Sequence, residues 1–595
     1  MLVLGIIDSK PSSAALLQDE KILSAVAEER LSRMKMATGT PRQSIELVLR
    51  DSGVTPGEID CVAIAQNVSV FEPEPLPWSG WFESEAKLKT RRFDNLSASL
   101  APVVGHMPLA WELHHQIKRF LSRERLPKLS ELFRKEYGIK APLKVYDHHH
   151  CHATTAYYTS NFDQALVVTL DGGGDGRSGS VYIAENGVMR RLSFVDSFNS
   201  LGNFYSYVTK LCGFKAESHE GKVTGLAAFG EPIFADILRE FLRYQEPGRI
   251  RYGVPMYHRS ALRLISERLP RDFDRADLAA SVQLVLEEIG TAFIRYWLRR
   301  TGMRNVAVSG GVFANVKFNQ RIHELEEVDN FFVHPAMDDS GLAVGSALAA
   351  LADHYGSEAG RLVRSLPNLY LGPEYSDGEM ISAVQSAGLE ARPEKDIHHR
   401  IGQLLAEGHV VARFVGRMEY GPRALGHRSI LYQTTDPSVN DWLNKSLNRT
   451  EFMPFAPATL EEYARECYIG MEGAEEPARY MTITFNCTPK MRAQSAGVVH
   501  VDGTARPQIL DPKTAPDFYG ITKAYHQITD IPSVINTSFN MHGEPIVCTP
   551  EDAVRSFQQG NLEYLAMGDW LICNAEAIRN REQLAASHRK KSDGS

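Results

Sequence analysis

Asp147-His148-His149-His150-Cys151-His152 is followed, nineteen residues past its last histidine, by Asp171-Gly172-Gly173-Gly174-Asp175-Gly176. The second stretch follows Ala165-Leu166-Val167-Val168-Thr169-Leu170, an apolar run that reads as a buried strand. A strand that ends in Asp-Gly-Gly-Gly lets backbone approach an anionic ligand closely, because glycine has no Cβ and tolerates positive φ. The histidines precede Ala153–Tyr158, which reads as a helix. If that helix begins at or before His148, His148 and His152 share a face at i and i+4, a metal-ligand spacing. Together the two stretches place a metal beside a phosphate. The plainer alternatives are a solvated histidine cluster or a helix start with no ligand.

Length and charge narrow the class. A chain of 595 residues holds two or more domains with substantial cores. Its net charge of −8, with both signs interspersed, does not mark a general nucleic-acid binder, although a local basic pocket for a phosphorylated small molecule remains compatible with it. The seven cysteines are scattered, odd in number and without CxxC spacing, which fits a reducing cytoplasm rather than a disulfide framework or a structural zinc module. No apolar run reaches membrane-spanning length, and the start of the chain is too short for a signal peptide. The expectation is a cytoplasmic globular protein, monomer or homodimer, with no nucleic-acid or membrane partner.

Along the chain the pattern is α/β. Leu2–Asp8 reads as a strand, Ala14–Leu17 with Ile22–Val26 as a hairpin, and Asp60–Ala65 as a further strand. Pro41–Asp51 reads as a helix with Thr40 as its cap and proline at the first helical position. Residues 67–142 turn aromatic, basic and proline-containing, as in an insertion that builds specificity. Ala279–Arg299 is a long helix whose apolar residues are mostly core. Composition shifts around Gly356–Pro367, which divides the chain into domains 1–362 and 363–595.

Two further turns carry chemistry. Asn305–Ser309 is a strand that runs into Gly310-Gly311 and then Asn315, where backbone N–H groups suit a phosphate or nucleotide edge; a bare Ser-Gly-Gly is also common in tight turns. Asp338-Asp339 precedes a small-residue helix, either as a cap or as the completion of the histidine metal site. In the C-terminal region, Gly416–Arg428, Arg449–Pro457, Asp502–Arg506 and Asn536–Pro545 gather arginines with small hydroxyl and amide side chains, suited to phosphate and to carbamoyl or carboxylate groups.

Four motifs resemble those of the ATP-dependent O-carbamoyltransferases of antibiotic and nodulation-factor tailoring. They are His148-His149-x-x-His152, Glu220-Gly221-Lys222-Val223-x-Gly225-Leu226-Ala227-x-x-Gly230, Glu419-x-Gly421-Pro422-Arg423-Ala424-Leu425-Gly426-x-Arg428-Ser429 and Asn536-Thr537-Ser538-Phe539-Asn540-x-x-Gly543-Glu544-Pro545. The resemblance runs almost end to end, with 67–142 least covered. It implies an N-terminal domain of actin/Hsp70 ATPase type, as in the tRNA threonylcarbamoyl transferases, and a C-terminal α/β domain that forms carbamoyl-adenylate.

The implied chemistry has two steps. ATP, with Mg, and carbamoyl phosphate give carbamoyl-adenylate and pyrophosphate in the C-terminal domain, where Arg423, Arg449 and Arg506, with Asn536 and Thr537, match positions near the anionic reactants. The carbamoyl group then passes to a hydroxyl or amine of a small natural product in the N-terminal domain. There the resemblance implies a metal on His148, His152 and Asp339, with Asp171 as a further ligand, and nucleotide contacts are expected from Asp171, Gly172, Gly173, Lys222, Gly310, Gly311 and Asn315. Fe(II) is the metal implied, while Mn and Zn suit the same ligands.

Three departures stand out. The family's His-Asp-Ser becomes Lys10-Pro11-Ser12, which puts Lys10 at a catalytic position. Leu447 and Met453 replace a lysine and an arginine around Arg449, with Lys445 as a candidate substitute, and His542 stands where arginine is usual. A lost charge-assisted hydrogen bond is worth roughly 1.5–3 kcal/mol. A second reading follows: an ATP-dependent ligase of the same fold that adenylates a different carboxyl donor and transfers the acyl group to an amine or alcohol. A third, a non-catalytic nucleotide-binding protein, has no chemical need for His148, His152, Asp339 and Arg423.

Overall fold

The computed structural model describes residues 1–78, 80, 107–447 and 452–579. β1 (Leu2–Ile7), β2 (Ser13–Gln18), β3 (Lys21–Ala27), β4 (Cys61–Ala65) and β5 (Leu143–Tyr146) form one sheet in the order β3-β2-β1-β4-β5. β1–β2 and β2–β3 are antiparallel; β1–β4 and β4–β5 are parallel. Every residue of β1 and β4 is buried, as continuous apolar strands covered on both faces must be.

The pattern then repeats. β6 (Gln164–Gly174), β7 (Arg177–Glu185) and β8 (Val188–Asp196) form an antiparallel meander. A ribbon of β9 (Leu242–Gln245) and β10 (Arg249–Tyr252) follows, and β11 (Asn305–Ser309) and β12 (Asn330–Val333) then add in parallel beyond β6, in the order β12-β11-β6-β7-β8. Two sheets of identical order and strand direction are the duplicated architecture of actin/Hsp70-type domains, as the motifs implied.

The two halves exchange helices. The His148–Tyr158 helix leaves β5 of the first sheet and packs on β6, β7 and β11 of the second. The Leu342–Tyr355 helix, downstream of β12, packs on β1, β2 and β4 of the first. They meet at Gly345, where a Cβ would stand 2.2 Å from the carbonyl oxygen of Cys151, so only glycine permits this approach. Val344, Leu348 and Leu351 are buried beside it, each stabilising by roughly 1.5–3 kcal/mol.

Several local expectations are corrected. The helix after Pro41 spans Arg42–Ser52 with Pro41 itself at the N-cap, and Thr40 does not cap it: its hydroxyl donates to Glu72 O instead. The capping carboxylate is Glu28, fully buried, which accepts from Gln43 N at 3.2 Å and Ser44 N at 2.8 Å. Asp171–Gly174 is not a turn after a strand but the last part of β6, and the chain reverses at Asp175-Gly176. The long helix runs Arg275–Thr301, capped by Asp274.

The C-terminal region is a separate eight-stranded mixed sheet. Its strands are β13 (Arg392–Pro393), β14 (Val411–Phe414), β15 (Arg428–Gln433), β16 (Ala456–Leu460), β20 (Gln508–Leu510), β21 (Ser533–Ser538), β22 (Tyr564–Met567) and β23 (Trp570–Cys573), with a small sheet of β17 (Tyr468–Ile469), β18 (Phe485–Cys487) and β19 (Thr504–Ala505) between β16 and β20 in the chain. Polar bonds tie it to the N-terminal region: Arg417 donates to Leu23 O, and Arg33 to Pro545 O and Ile546 O. No helix among the described residues is long and apolar enough to cross a membrane.

Candidate active site

The duplication builds the metal-type cluster. Asp147 caps the His148–Tyr158 helix by accepting from His150 N at 3.0 Å, and Asp338 caps the turn before the Leu342–Tyr355 helix by accepting from Ser340 N at 3.0 Å. The next residue in each half, His148 and Asp339, therefore points to the same place. Of the adjacent carboxylates, Asp338 is the cap and Asp339 faces the histidines. His148 Nε2 lies 3.2 Å from Asp171 Oδ2 and 3.5 Å from Asp339 Oδ1; His152 Nε2 lies 3.1 Å from Asp339 Oδ1. One ligand atom from each of the four residues falls within a 4.8 Å span.

Surrounding groups fix this geometry. His152 Nδ1 sits 3.1 Å from Ser309 Oγ at the end of β11, which turns Nε2 toward the cluster. Gly174 permits the His148 ring: a Cβ there would come within 2.2 Å of it. Burial opposes a charged His148, but Asp339 and Asp171 override it and raise the ring to about 9. Burial, with the charge of His148, pushes His152 down to about 3. Burial and then Asp171 push Asp339 up to about 7, against the pull of His148 and Lys10. Two buried imidazole nitrogens and two carboxylates with this much unresolved electrostatic tension fit a divalent cation, which would satisfy all four at once.

The first half holds the mirror position differently. Asp8, after β1, corresponds to Asp171, after the regular part of β6. The Asp8 carboxylate is buried against Arg125 from the insertion, with Arg125 Nε 3.2 Å from Asp8 Oδ2. Lys10, two residues on, places Nζ 3.0 Å from Glu217 Oε2 and 4.7 Å from the centre of the Trp78 ring. Trp78 Nε1 donates to the same Glu217 oxygen at 2.9 Å. Asp175 knits the insertion to the cluster, accepting from His148 N, Asn67 N and Val68 N.

The expected nucleotide contacts divide. Gly172 is half-buried and Gly173 exposed beside Asp171, leaving that backbone open to a ligand. Gly310 N donates to Met337 O at 2.7 Å and Gly311 N to Asp171 Oδ1 at 3.1 Å, so neither amide is the free phosphate donor expected of it. Gly311 instead helps orient Asp171. Asn315 caps the Val316–His323 helix and donates to Gln283 and Thr224, which accounts for its amide structurally. Lys222 is buried in the Glu220–Leu226 helix. That helix meets the C-terminal region at Gly225, where a Cβ would stand 2.6 Å from Met453 N.

In the C-terminal region Glu419 organises the arginine loop. Its Oε1 accepts from Leu425 N (2.8 Å), His427 N (2.9 Å) and Arg428 N (3.0 Å), leaving Arg423 half-buried near the loop's apex. Arg428 is fully buried and structural: it donates to the carbonyls of Val415 and Gly416 and lies over Phe414. Asn536, at 2% exposure, donates to Ala424 O at 3.0 Å and to Gln508 Oε1 at 2.6 Å, while Gln508 Nε2 donates to Leu425 O. These bonds draw Asn536 to the Arg423 loop; Arg506 lies two residues before Gln508, and Thr537 is half-buried on β21. Lys445 is exposed at the end of its helix and His542 is exposed. Leu447 is in the core at 1% exposure, so its apolar side chain serves packing. Arg449 lies outside the described residues. Tyr420, inside the same loop, places its hydroxyl 3.2 Å from His334 Nε2, five residues before Asp339, and so joins the two regions.

Residues 3–348 match the family described as carbamoyltransferase N-terminus, and residues 402–574 the family described as carbamoyltransferase C-terminus. The chain belongs to the carbamoyltransferase family. Nodulation protein NolNO of Sinorhizobium fredii is 30% identical over 94% of this chain and 78% of its own length. An uncharacterized protein of Methanocaldococcus jannaschii is 31% identical over 96% of this chain and 99% of its own. Among solved structures, the (R)-2-hydroxyglutaryl-CoA dehydratase component A of Acidaminococcus fermentans overlaps 59% of this chain and 98% of its own at 16% identity and a TM-score of 0.33. For a carbamoyltransferase, the informative residues that local sequence patterns miss are Glu217, Ser309 and Gln508. Each acts on a partner distant in the chain, so no local spacing announces it.

Proposed function

We propose that this carbamoyltransferase converts ATP, carbamoyl phosphate and water into carbamoyl-adenylate, with release of pyrophosphate from ATP and of inorganic phosphate from carbamoyl phosphate, and transfers the carbamoyl group to a hydroxyl or amine of a small molecule with AMP as the leaving group. The observation that carries this reading is the pairing of an arginine loop, ordered by Glu419, with a four-ligand cluster, the two joined by Tyr420 and His334. In the first step Arg423 and Arg506 offset the repulsion between two anionic reactants and align them, with Mg on the ATP; Asn536 fixes the loop that carries Arg423. For the second, His148, His152, Asp171 and Asp339 would hold a divalent metal, Fe(II) on the family pattern, which would supply Lewis acidity when bound. Asp171 is oriented for this by Gly311 N, and His152 by Ser309.

The second reading, adenylation of another carboxyl donor, draws on Leu447 and Met453, where apolar groups replace basic ones. Pyrophosphate release from ATP, with carbamoyl phosphate and separately with a panel of carboxylic acids, separates the two. Release that requires carbamoyl phosphate supports the carbamoyl donor. Release with a carboxylic acid alone removes it and establishes the ligase.

A further inference from the structure

The Lys10 ammonium is near enough to the four-ligand cluster to pull the Asp339 carboxyl down. β2, the strand that follows its turn, is pinned beside Asp339: Ser13 Oγ donates to Ser340 O at 2.8 Å. An ammonium has three donors. Among the described residues Lys10 meets one acceptor, Glu217, and it remains 21% exposed. Glu217 is itself built for this contact. It adopts φ of +63°, the left-handed region that is costly for a side-chain-bearing residue, and its N–H is tied to Glu220 Oε1 at 2.6 Å. Trp78 holds the same Glu217 oxygen and lies under the ammonium. A cation with unspent donors, next to a site for a second cation, and hydrogen-bonded among the described residues to one strained carboxylate, matches a phosphate-binding group held in reserve.

We propose that Lys10 is a ligand for a phosphate bound at the cluster, and that Glu217 is the counter-ion this phosphate displaces. The incoming phosphate would accept the Lys10 N–H groups, and Glu217 would be released while still held at its backbone. The inference relies on the function proposed above only for the phosphate's carrier, an adenylate; the exchange of counter-ions stands on the Lys10 geometry.

The test is calorimetric titration of AMP, and separately of inorganic phosphate, into the full chain loaded with Mn(II). Lys10→Met should weaken AMP binding by about tenfold or more, the equivalent of one charge-assisted hydrogen bond. Glu217→Gln, nearly isosteric, should strengthen it several-fold, and in the Lys10→Met background Glu217→Gln should have no effect. Lys10→Gln serves as a second variant, with melting temperature as the check that each folds. Unchanged AMP and phosphate binding in the Lys10 variants would overturn the proposal, as would weaker binding in Glu217→Gln or no binding of either probe by the parent protein. If phosphate binding depends on Lys10 while AMP binds no tighter than phosphate, the inference stands and the adenylate reading falls.

Discussion

His148 Nε2 lies 3.5 Å from Asp339 Oδ1, and the two residues hold the same position in the two halves of a duplicated fold, each one past an aspartate that caps a helix start. The cluster is thus a product of the duplication: two helix starts meet where the sheets face each other. Asp171 enters from β6 and His152 from one turn further along its helix.

Ser309 orients His152 without belonging to the ligand set. Ser309→Ala should leave the fold intact and weaken divalent-metal binding by roughly tenfold to a hundredfold, the usual cost of removing such a partner. Titration of Mn(II) into the metal-free protein checks it.

Gly174 gives the His148 ring its space. In Gly174→Ala the methyl group would displace the ring, since Gly174 itself is buried and its backbone is paired with Arg177. The expected outcome is a loss of about 1–3 kcal/mol in stability and a larger loss of metal affinity than in Ser309→Ala. Melting temperature and the same titration measure both.

Much of this was legible in the chain. Continuous apolar runs marked β1, β4 and β6, because strands covered on both faces need no alternation. The i, i+4 histidines were readable because a helix start fixes their face. The cap of the Arg42–Ser52 helix was not, because Glu28 reaches it from another element while Thr40 points elsewhere. Gly310 and Gly311 looked like a phosphate cradle, yet tertiary contacts to Met337 and Asp171 use their amides. The duplication was also hidden: the halves share strand order and direction, and no repeated motif marks it.

Glu419 gathers three backbone N–H groups on one oxygen. Glu419→Gln keeps the shape but removes the charge from those bonds, and each such bond is worth roughly 1.5–3 kcal/mol when charged. Donor-dependent pyrophosphate release should fall by about tenfold or more, with metal affinity unchanged. Parallel assays of the two properties separate this from general unfolding.

Asp517 lies against the buried Arg413, with bonds of 2.6 and 3.1 Å, and His398 adds to the pairing. Burial pushes its carboxyl up, but Arg413 and His398 hold it well below the usual range. A lowered carboxyl stabilises the fold above its unfolded value, near pH 3.9, and that contribution is lost as pH falls through the folded value. Asp517→Asn should therefore melt lower than the parent at pH 7, with the difference narrowing as the pH drops below about 4. Melting curves across that range check the sign.

The most direct test of two sites with two steps is carbamoyl-phosphate-dependent pyrophosphate release by Asp339→Ala beside Arg423→Ala. The expected result is release close to the parent rate in Asp339→Ala, with carbamoyl transfer abolished, and no release in Arg423→Ala. Loss of pyrophosphate release in Asp339→Ala, in a protein that still melts like the parent, would contradict the account.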